Sequence, residues 1–279
     1  MAAEPGAAAL MQPLAAMPAA ARRAVRGVLA DIDDTITTHG RLTPAAYAAL
    51  ARLRDAGRLV IPVTGRPAGW CDHIARTWPV DAVVGENGAF YMRYDRARRK
   101  LERRFVADDA TRAANRARLA RIGAAILHAV PGTALASDQH YREADLAIDF
   151  CEDVPPLPRA DVDRIVALME AEGMTAKVSS IHVNGWFGRY DKLGMTRTLL
   201  AEAFGIELDT ERERFVFAGD SPNDAPMFAY FPLGVGMANI RAFLDRIATP
   251  PAYVTTAEAG AGFVELANFL LKGQTLNVK

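Results

Sequence analysis

The stretch AVRGVLADIDDT, residues 24–35, sets the pattern that the rest of the chain follows. It is an apolar run, typical of a buried strand, that ends abruptly in carboxylates. Short apolar runs then alternate with helical stretches, as expected for βαβ units around a parallel sheet. Three of these runs predict further strands of the same sheet: LVIPV at 59–63, DAVVG at 81–85 and FVFAG at 215–219.

The middle of the chain has a different pattern. AFYMRYD at 89–95 and KLERRFV at 100–106 predict a hairpin, and a long helix, a further helix and three more strands follow. Two helices against an antiparallel sheet predict a separate α+β module. We therefore predict an α/β fold with a doubly wound, Rossmann-like parallel-sheet core at 22–88 and 188–279, interrupted by an inserted module at 89–187. Residues 1–21, rich in Ala and interrupted by Pro, are predicted to be a disordered lead-in.

The overall composition excludes several classes of protein. The 33 Lys and Arg residues balance 33 Asp and Glu residues, and the zero net charge argues against general nucleic-acid or anionic-membrane binding. The absence of any run of about 18 apolar residues argues against a membrane span. Cys71 and Cys151 are the only cysteines, too few for a disulfide scaffold, and they predict a reducing, cytoplasmic location.

Polar residues follow the predicted strands directly, and Lys192 begins the helix that leads to the strand at 215–219. In open α/β sheets the ligand crevice lies at the carboxyl ends of the strands, so these side chains are expected to converge. The candidate site residues are Asp31, Asp33, Thr64, Gly65, Arg66, Lys192, Asp220, Asn223 and Asp224.

This set of residue types points to metal-assisted phosphoryl chemistry. Clustered carboxylates raise one another's pKa unless a cation neutralises them, and all-oxygen ligation favours Mg²⁺. A carboxylate beside such a metal is able to attack phosphorus as a covalent nucleophile, while a lysine and backbone amides stabilise the phosphoryl oxygens. Asp33, two residues after Asp31, is placed to act as general acid and then to activate water.

The motifs resemble those of the haloacid dehalogenase-like phosphohydrolase superfamily. The four segments that carry the resemblance are DIDDT at 31–35, VTGRP at 63–67, Lys192, and GDSPND at 219–224. The insertion between the second and third motifs resembles the large α/β cap of one subgroup. That subgroup contains Cof-type, sucrose-phosphate, trehalose-phosphate and mannosyl-phosphoglycerate phosphatases and eukaryotic phosphomannomutases. The ENG turn at 86–88 resembles the same subgroup.

The resemblance implies a role for each site residue. Asp31 is expected to be the phosphorylated nucleophile and a metal ligand, and Asp33 the acid/base whose backbone carbonyl also contacts Mg²⁺. Thr64 and Lys192 are expected to bind the phosphoryl oxygens. Asp220, Asn223 and Asp224 are expected to bind the metal or orient its waters. Gly65, Arg66 and Asn87 border the crevice as candidate substrate contacts, although Asn87-Gly88 equally suits a simple turn. Asp34 departs from the family, which most often has Gly there.

The predicted function is a Mg²⁺-dependent phosphatase that acts on a small phosphorylated metabolite, with a sugar phosphate expected, through an aspartyl-phosphate. Two alternatives stay open. One is a phosphomutase, which returns the phosphoryl group to another hydroxyl. The other is a noncatalytic metabolite-binding protein, against which the paired Asp31 and Asp33 argue, because binding alone requires no acid/base.

Overall fold

The computed structural model describes residues 11–273, in which short strands alternate with helices. The strands are β1 (Gln12–Pro13), β2 (Gly27–Ala30), β3 (Leu59–Pro62), β4 (Val83–Gly85), β5 (Phe90–Asp95), β6 (Lys100–Phe105), β7 (Ala134–Leu135), β8 (Asp145–Asp149), β9 (Thr175–Val178), β10 (His182–Trp186), β11 (Phe215–Gly219), β12 (Leu233–Gly236) and β13 (Tyr253–Val254). The α-helices are α1 (Ala19–Ala24), α2 (Pro44–Asp55), α3 (Ala68–Thr77), α4 (Asp109–Ala129), α5 (Arg159–Ala171), α6 (Lys192–Phe204), α7 (Leu208–Glu211), α8 (Ala225–Tyr230) and α9 (Ala259–Leu271). None of these helices combines the length and the hydropathy that a membrane crossing requires.

The central sheet is parallel and has helices on both faces, which confirms the predicted doubly wound fold. Its six strands lie in the order β1-β13-β12-β11-β2-β3. Successive side chains of β2 enter different cores: Val28 packs with α2 and α9, whereas Leu29 packs with α6 and α8. Burial on both faces explains why β2 is apolar throughout, as is usual for central parallel strands.

The hairpin β5-β6 belongs to this core, so the boundary predicted at residue 89 is wrong. A parallel bridge between Val63 and Val84 connects β3 to β4, and β4 pairs antiparallel with β5. Phe90 and Met92 are buried in the core beside α3. The polar outer strand β6 made the hairpin look independent of the core, but backbone pairing with β4 fixes its place. We therefore place the start of the cap after Phe105 and keep its end at residue 187.

The cap is an antiparallel sheet, in the order β7-β8-β10-β9, with α4 and α5 on one face. Leu146, Ile148 and Val183 pack against these helices. The alternate side chains of the same strands, among them Asp145 and Trp186, lie on the opposite face. The cap thus presents its polar sheet face to the core.

The lead-in prediction is wrong for residues 11–21. Strand β1 pairs parallel with β13, and the side chains of Met11, Leu14 and Met17 are buried in the cores. The Ala- and Pro-rich composition hid these three apolar side chains, which cover core surface beside β13. Residues 1–10 of the same prediction lie outside the described residues.

Candidate active site

The central strands β2 and β11 bring the first and last motifs together. Ala30 lies opposite Ala218 in the register, and the Asp31 N–H donates to the Ala218 carbonyl at 2.9 Å. Asp31 therefore follows directly on one strand and Asp220 on its neighbour. Both carboxyl groups are buried, at 5% and 0% exposure. The predicted convergence at the carboxyl edge of the sheet is present in the structure.

Lys192 joins Asp31 to Asp224. Its Nζ lies 2.9 Å from Asp31 Oδ1 and 2.8 Å from Asp224 Oδ1. The lysine begins α6, where the Asp191 side chain caps the helix by accepting the Gly194 N–H at 2.7 Å. Burial lowers the pKa of Lys192, but the two carboxylates outweigh it and raise that pKa above its ordinary value. Lys192 is thus a buried ammonium held against the predicted nucleophile.

Two side chains outside the predicted set orient Asp220. The Thr35 hydroxyl donates to Oδ1 at 3.0 Å, and the Asn239 amide donates to Oδ2 at 2.9 Å. Asn239 in turn accepts the Ala259 N–H at 2.9 Å, which fixes its amide plane. Its position shortly after β12, at the carboxyl edge of the sheet, was the signal that sequence reasoning missed.

Asp224 is held by the loop that precedes it. Its Oδ2 accepts the N–H groups of Asp220 at 3.1 Å and Ser221 at 3.4 Å. A Cβ on Gly219 would collide with the Asp224 carboxylate, so the motif requires glycine there. The Ser221 hydroxyl donates to Asn223 Oδ1 at 2.7 Å, which engages the amide oxygen of this predicted metal ligand within the loop.

Three of the predicted carboxylates form a site that fits a divalent cation. Asp31, Asp220 and Asp224 each offer an oxygen, and these oxygens all lie within 4.8 Å of one another. Burial, reinforced by Asp224, raises the pKa of Asp31 to about 7 although Lys192 opposes it, and burial raises the pKa of Asp220 well above its ordinary value. The single Lys192 ammonium does not balance the negative charge of three buried carboxylates, so a bound cation would complete the charge. Carboxylate oxygens are ligands that suit Mg²⁺.

Asp33 lies outside this cluster, in an ion pair with Arg66. The guanidinium contacts both carboxylate oxygens at 2.8–3.0 Å. Arg66 also contacts Asp138 at 3.2 Å and Glu152 at 2.7 Å, two carboxylates of the cap. Its guanidinium carbon lies 4.6 Å from the centre of the Trp70 ring. Arg66 therefore connects the predicted acid/base to the cap.

A second buried arginine also connects core and cap. Arg142 donates to the Gly65 carbonyl at 2.8 Å and to Asp145 at 2.9 Å. The Glu86 carboxylate, between β4 and β5, accepts backbone N–H groups from both domains; the donors are Ala68, Glu143, Ala144 and Asp145. Sequence reasoning missed Glu86, Asp138, Arg142 and Glu152, because no local pattern marks contacts that depend on how the cap lies on the core.

The remaining predicted residues follow strands β3 and β4. Thr64 is fully buried, and its hydroxyl accepts the Arg66 N–H at 3.0 Å. Asn87 has a left-handed φ of 54° and lies next to Gly65, with no hydrogen-bond partner for its buried Nδ2 within residues 11–273. Asp34 is also left-handed, at φ 51°, a conformation in which glycine is unstrained. Asp34, at a position where the resembled family most often has Gly, therefore has a more strained backbone than glycine would have there.

Comparison with known proteins supports the predicted resemblance. A family model described as haloacid dehalogenase-like hydrolase matches residues 28–130. No curated protein matches the sequence. The matched residues contain the first two motifs and make up less than half of the chain.

Solved structures share the fold over most of the chain. Protein 0175 of Thermoplasma acidophilum has a TM-score of 0.65 and 18% identity, with 88% of this chain and 98% of that chain covered. The sucrose-phosphatase of Synechocystis sp. PCC6803 has a TM-score of 0.58 and 16% identity, with 88% and 98% covered. A sugar phosphatase of haloacid dehalogenase subclass IIB has a TM-score of 0.58 and 14% identity, with 83% and 93% covered. At these identities the likeness shows the fold, including the additional cap sheet.

Proposed function

We propose that this protein is a Mg²⁺-dependent phosphatase that hydrolyses a small phosphorylated metabolite through a phosphoryl-aspartate on Asp31. The observation that carries the proposal is the buried contact between Asp31 and Lys192, with two further carboxylates beside it. Two of the structural neighbours are named as a sucrose-phosphatase and a sugar phosphatase, which supports a sugar phosphate as the substrate.

In the first step an Asp31 oxygen attacks phosphorus while the bond between phosphorus and the leaving oxygen breaks. The Lys192 ammonium stabilises the charge on the phosphoryl oxygens, and Thr64, at the end of the neighbouring strand β3, contributes a hydroxyl. Asp31, Asp220 and Asp224 would hold a magnesium ion, which supplies positive charge to the same oxygens when bound. Burial of all these groups excludes water from the nucleophile.

Asp33 supplies the proton that the leaving oxygen takes up, and it removes a proton from the water that then hydrolyses the phosphoryl-aspartate. For this role its carboxyl group has to leave Arg66. Asp138 and Glu152 remain in contact with the guanidinium, so the arginine is not left uncompensated when Asp33 turns away. Because both carboxylates belong to the cap, we propose that cap closure prepares Asp33 for catalysis.

Release of inorganic phosphate from a panel of phosphorylated metabolites, measured with and without Mg²⁺, tests the proposal. We expect Mg²⁺-dependent release, and a loss of about 10³-fold or more in kcat for Asp31→Asn. Isomerised phosphosugar without inorganic phosphate would favour the phosphomutase. Ligand binding without turnover by the wild-type protein would favour the noncatalytic alternative. The cytoplasmic location stays a prediction.

A further inference from the structure

A cavity of about 710 Å³ opens beside the candidate active site, between the cap and the start of α6. We call it the linker-side cavity, because Arg189 and Tyr190 of the segment that joins cap to core line it. Lys192 and Asn223 of the site also line it, and so does Lys177 of β9. A ligand whose phosphoryl group contacts Lys192 therefore has this space directly beside it.

Strand periodicity explains the place of Lys177. Ala176 and Val178 pack against the cap helices, so Lys177, between them, lies on the opposite face of the sheet. In the register it lies opposite Asn184 of β10. Strand β9 also contacts the 222–224 segment of the core, which ends in Asp224. The cap thus holds Lys177 close to the GDSPND loop without placing it in the catalytic cluster.

The linker-side cavity has uncompensated positive charge. Lys177 and Arg189 are both exposed, and neither forms an ion pair with any residue of the described chain. The positive end of the α6 dipole lies at the same place. One carboxylate, Asp191, also lines the cavity, and its side chain already caps α6.

Two buried side chains of the cavity wall have donors without partners. Trp186 is 1% exposed and Asn87 is 3% exposed, and both line the cavity. Trp186 Nε1 and Asn87 Nδ2 form no hydrogen bond within residues 11–273. Indole and amide N–H groups, an ammonium and a guanidinium are all donors. Of these donors, the exposed Lys177 ammonium and Arg189 guanidinium are the ones a ligand in the cavity reaches, and they suit acceptors and negative charge.

The opposite side of the crevice has the reverse polarity. A second cavity, of about 370 Å³, is lined by Asp33, Asp34 and Glu152. Its arginine, Arg66, is already paired with three carboxylates. Negative charge on a substrate is disfavoured on that side and favoured on the linker side, although the whole chain has a formal net charge of zero.

We propose that the substrate carries a second anionic group, a carboxylate or a second phosphate, which binds in the linker-side cavity to Lys177 and Arg189. This proposal rests on the proposed phosphatase function and narrows its substrate class. It makes Lys177 and Arg189 specificity-determining residues that have no part in the chemistry at Asp31.

Matched substrate pairs test the proposal. In the first pair, 2-phosphoglycolate carries a carboxylate that ethyl phosphate lacks. In the second pair, glucose 1,6-bisphosphate carries a second phosphate that glucose 6-phosphate lacks. We expect the wild type to prefer the more anionic member of at least one pair in kcat/KM, and the preferred pair identifies the group. Lys177→Met and Arg189→Gln should each reduce that preference about fivefold, as expected for partly exposed ion pairs, and the double variant should reduce it further. Lys100→Met, on the outer strand of the hairpin, is the matched control and should leave the preference unchanged.

Hydrolysis of p-nitrophenyl phosphate separates this proposal from the phosphatase proposal, because that substrate has no second anion. It should be unaffected by the Lys177 and Arg189 variants. Titration calorimetry of the Asp31→Asn protein with each member of both pairs measures the preference without turnover. No preference in the wild type, or a preference that persists in the double variant, would overturn the second-anion site. Failure to hydrolyse p-nitrophenyl phosphate, with the binding preference intact, would overturn only the phosphatase.

Discussion

Replacement of Glu152 by glutamine tests whether the cap controls the acid/base Asp33. Glu152 is one of three carboxylates that share the Arg66 guanidinium, at 2.7 Å, and its other oxygen lies 2.9 Å from His182 Nε2. With Glu152 neutral, Arg66 retains Asp138 and Asp33, so the attraction between Arg66 and Asp33 becomes harder to break. The step that requires Asp33 to turn toward the leaving oxygen should therefore slow.

The effect of Glu152→Gln on the free energy of unfolding follows from the pKa of Glu152. Burial alone would raise this pKa, but the contacts with His182 and Arg66 lower it from 4.5 to about 2. A shift of this size corresponds to roughly 3 kcal/mol, which we reduce to about 1–2 kcal/mol because the side chain is partly exposed. This stabilisation is fully present above the ordinary pKa of glutamate and is lost as the pH falls toward 2. Glu152→Gln should therefore lower the free energy of unfolding by about 1–2 kcal/mol at pH 7, with a smaller difference at pH 3.

The assay compares leaving groups. An alkyl phosphate requires a proton from Asp33 in the first step, whereas p-nitrophenolate leaves without one. For Glu152→Gln, kcat/KM should fall about tenfold for the alkyl phosphate and much less for p-nitrophenyl phosphate. Glu170→Gln, on the exposed side of α5, is the matched control and should change neither. Equal losses for both leaving groups would refute the control of Asp33 by the cap and leave Glu152 with a structural role.

Two further predictions concern the metal site and the N-terminal segment. Asn239→Ala removes one of the two side-chain donors to Asp220. The Mg²⁺ concentration for half-maximal activity should therefore rise about 10–100-fold, while saturating Mg²⁺ restores most of kcat. An unchanged Mg²⁺ requirement would contradict this role. Leu14→Ala should lower the free energy of unfolding by about 2–4 kcal/mol in urea titrations, because Leu14 is 3% exposed. The control Ala15→Ser, at an exposed position, should have little effect. A negligible loss for Leu14→Ala would contradict the ordered N-terminal segment.

Local patterns predicted the core of the fold because they coincide with its tertiary contacts. The helix predicted to begin at Lys192 does begin there, and Gly205 ends it with a left-handed φ of 62°. The strand at 215–219 is likewise confirmed. The hairpin at 90–105 was misplaced because its composition does not show that β5 pairs with β4. Sequence patterns distinguish strand from helix, but they do not show which sheet receives a strand.

The three clustered carboxylates of the candidate site were predictable from the sequence, whereas the contacts of Arg66 with the cap were not. Asp31, Asp220 and Asp224 follow central parallel strands or the loop after them, so the topology brings them together. The partners of Arg66 in the cap lie 72 and 86 residues away along the chain. Nothing local to Asp138 or Glu152 indicates that they meet a buried arginine, because this contact exists only when the cap lies on the core.

The central claim is that Asp31 carries the phosphoryl group, and acid quenching during turnover tests it most directly. The wild type and Asp33→Asn, mixed with substrate and Mg²⁺ and quenched within milliseconds, are digested and analysed by mass spectrometry. We predict a phosphoryl group on the peptide that contains residues 31–35, located on Asp31, and its absence in Asp31→Asn. Phosphate release by the wild type with no phosphoryl group on Asp31 at any quench time, or a phosphoryl group on another residue, would contradict the account.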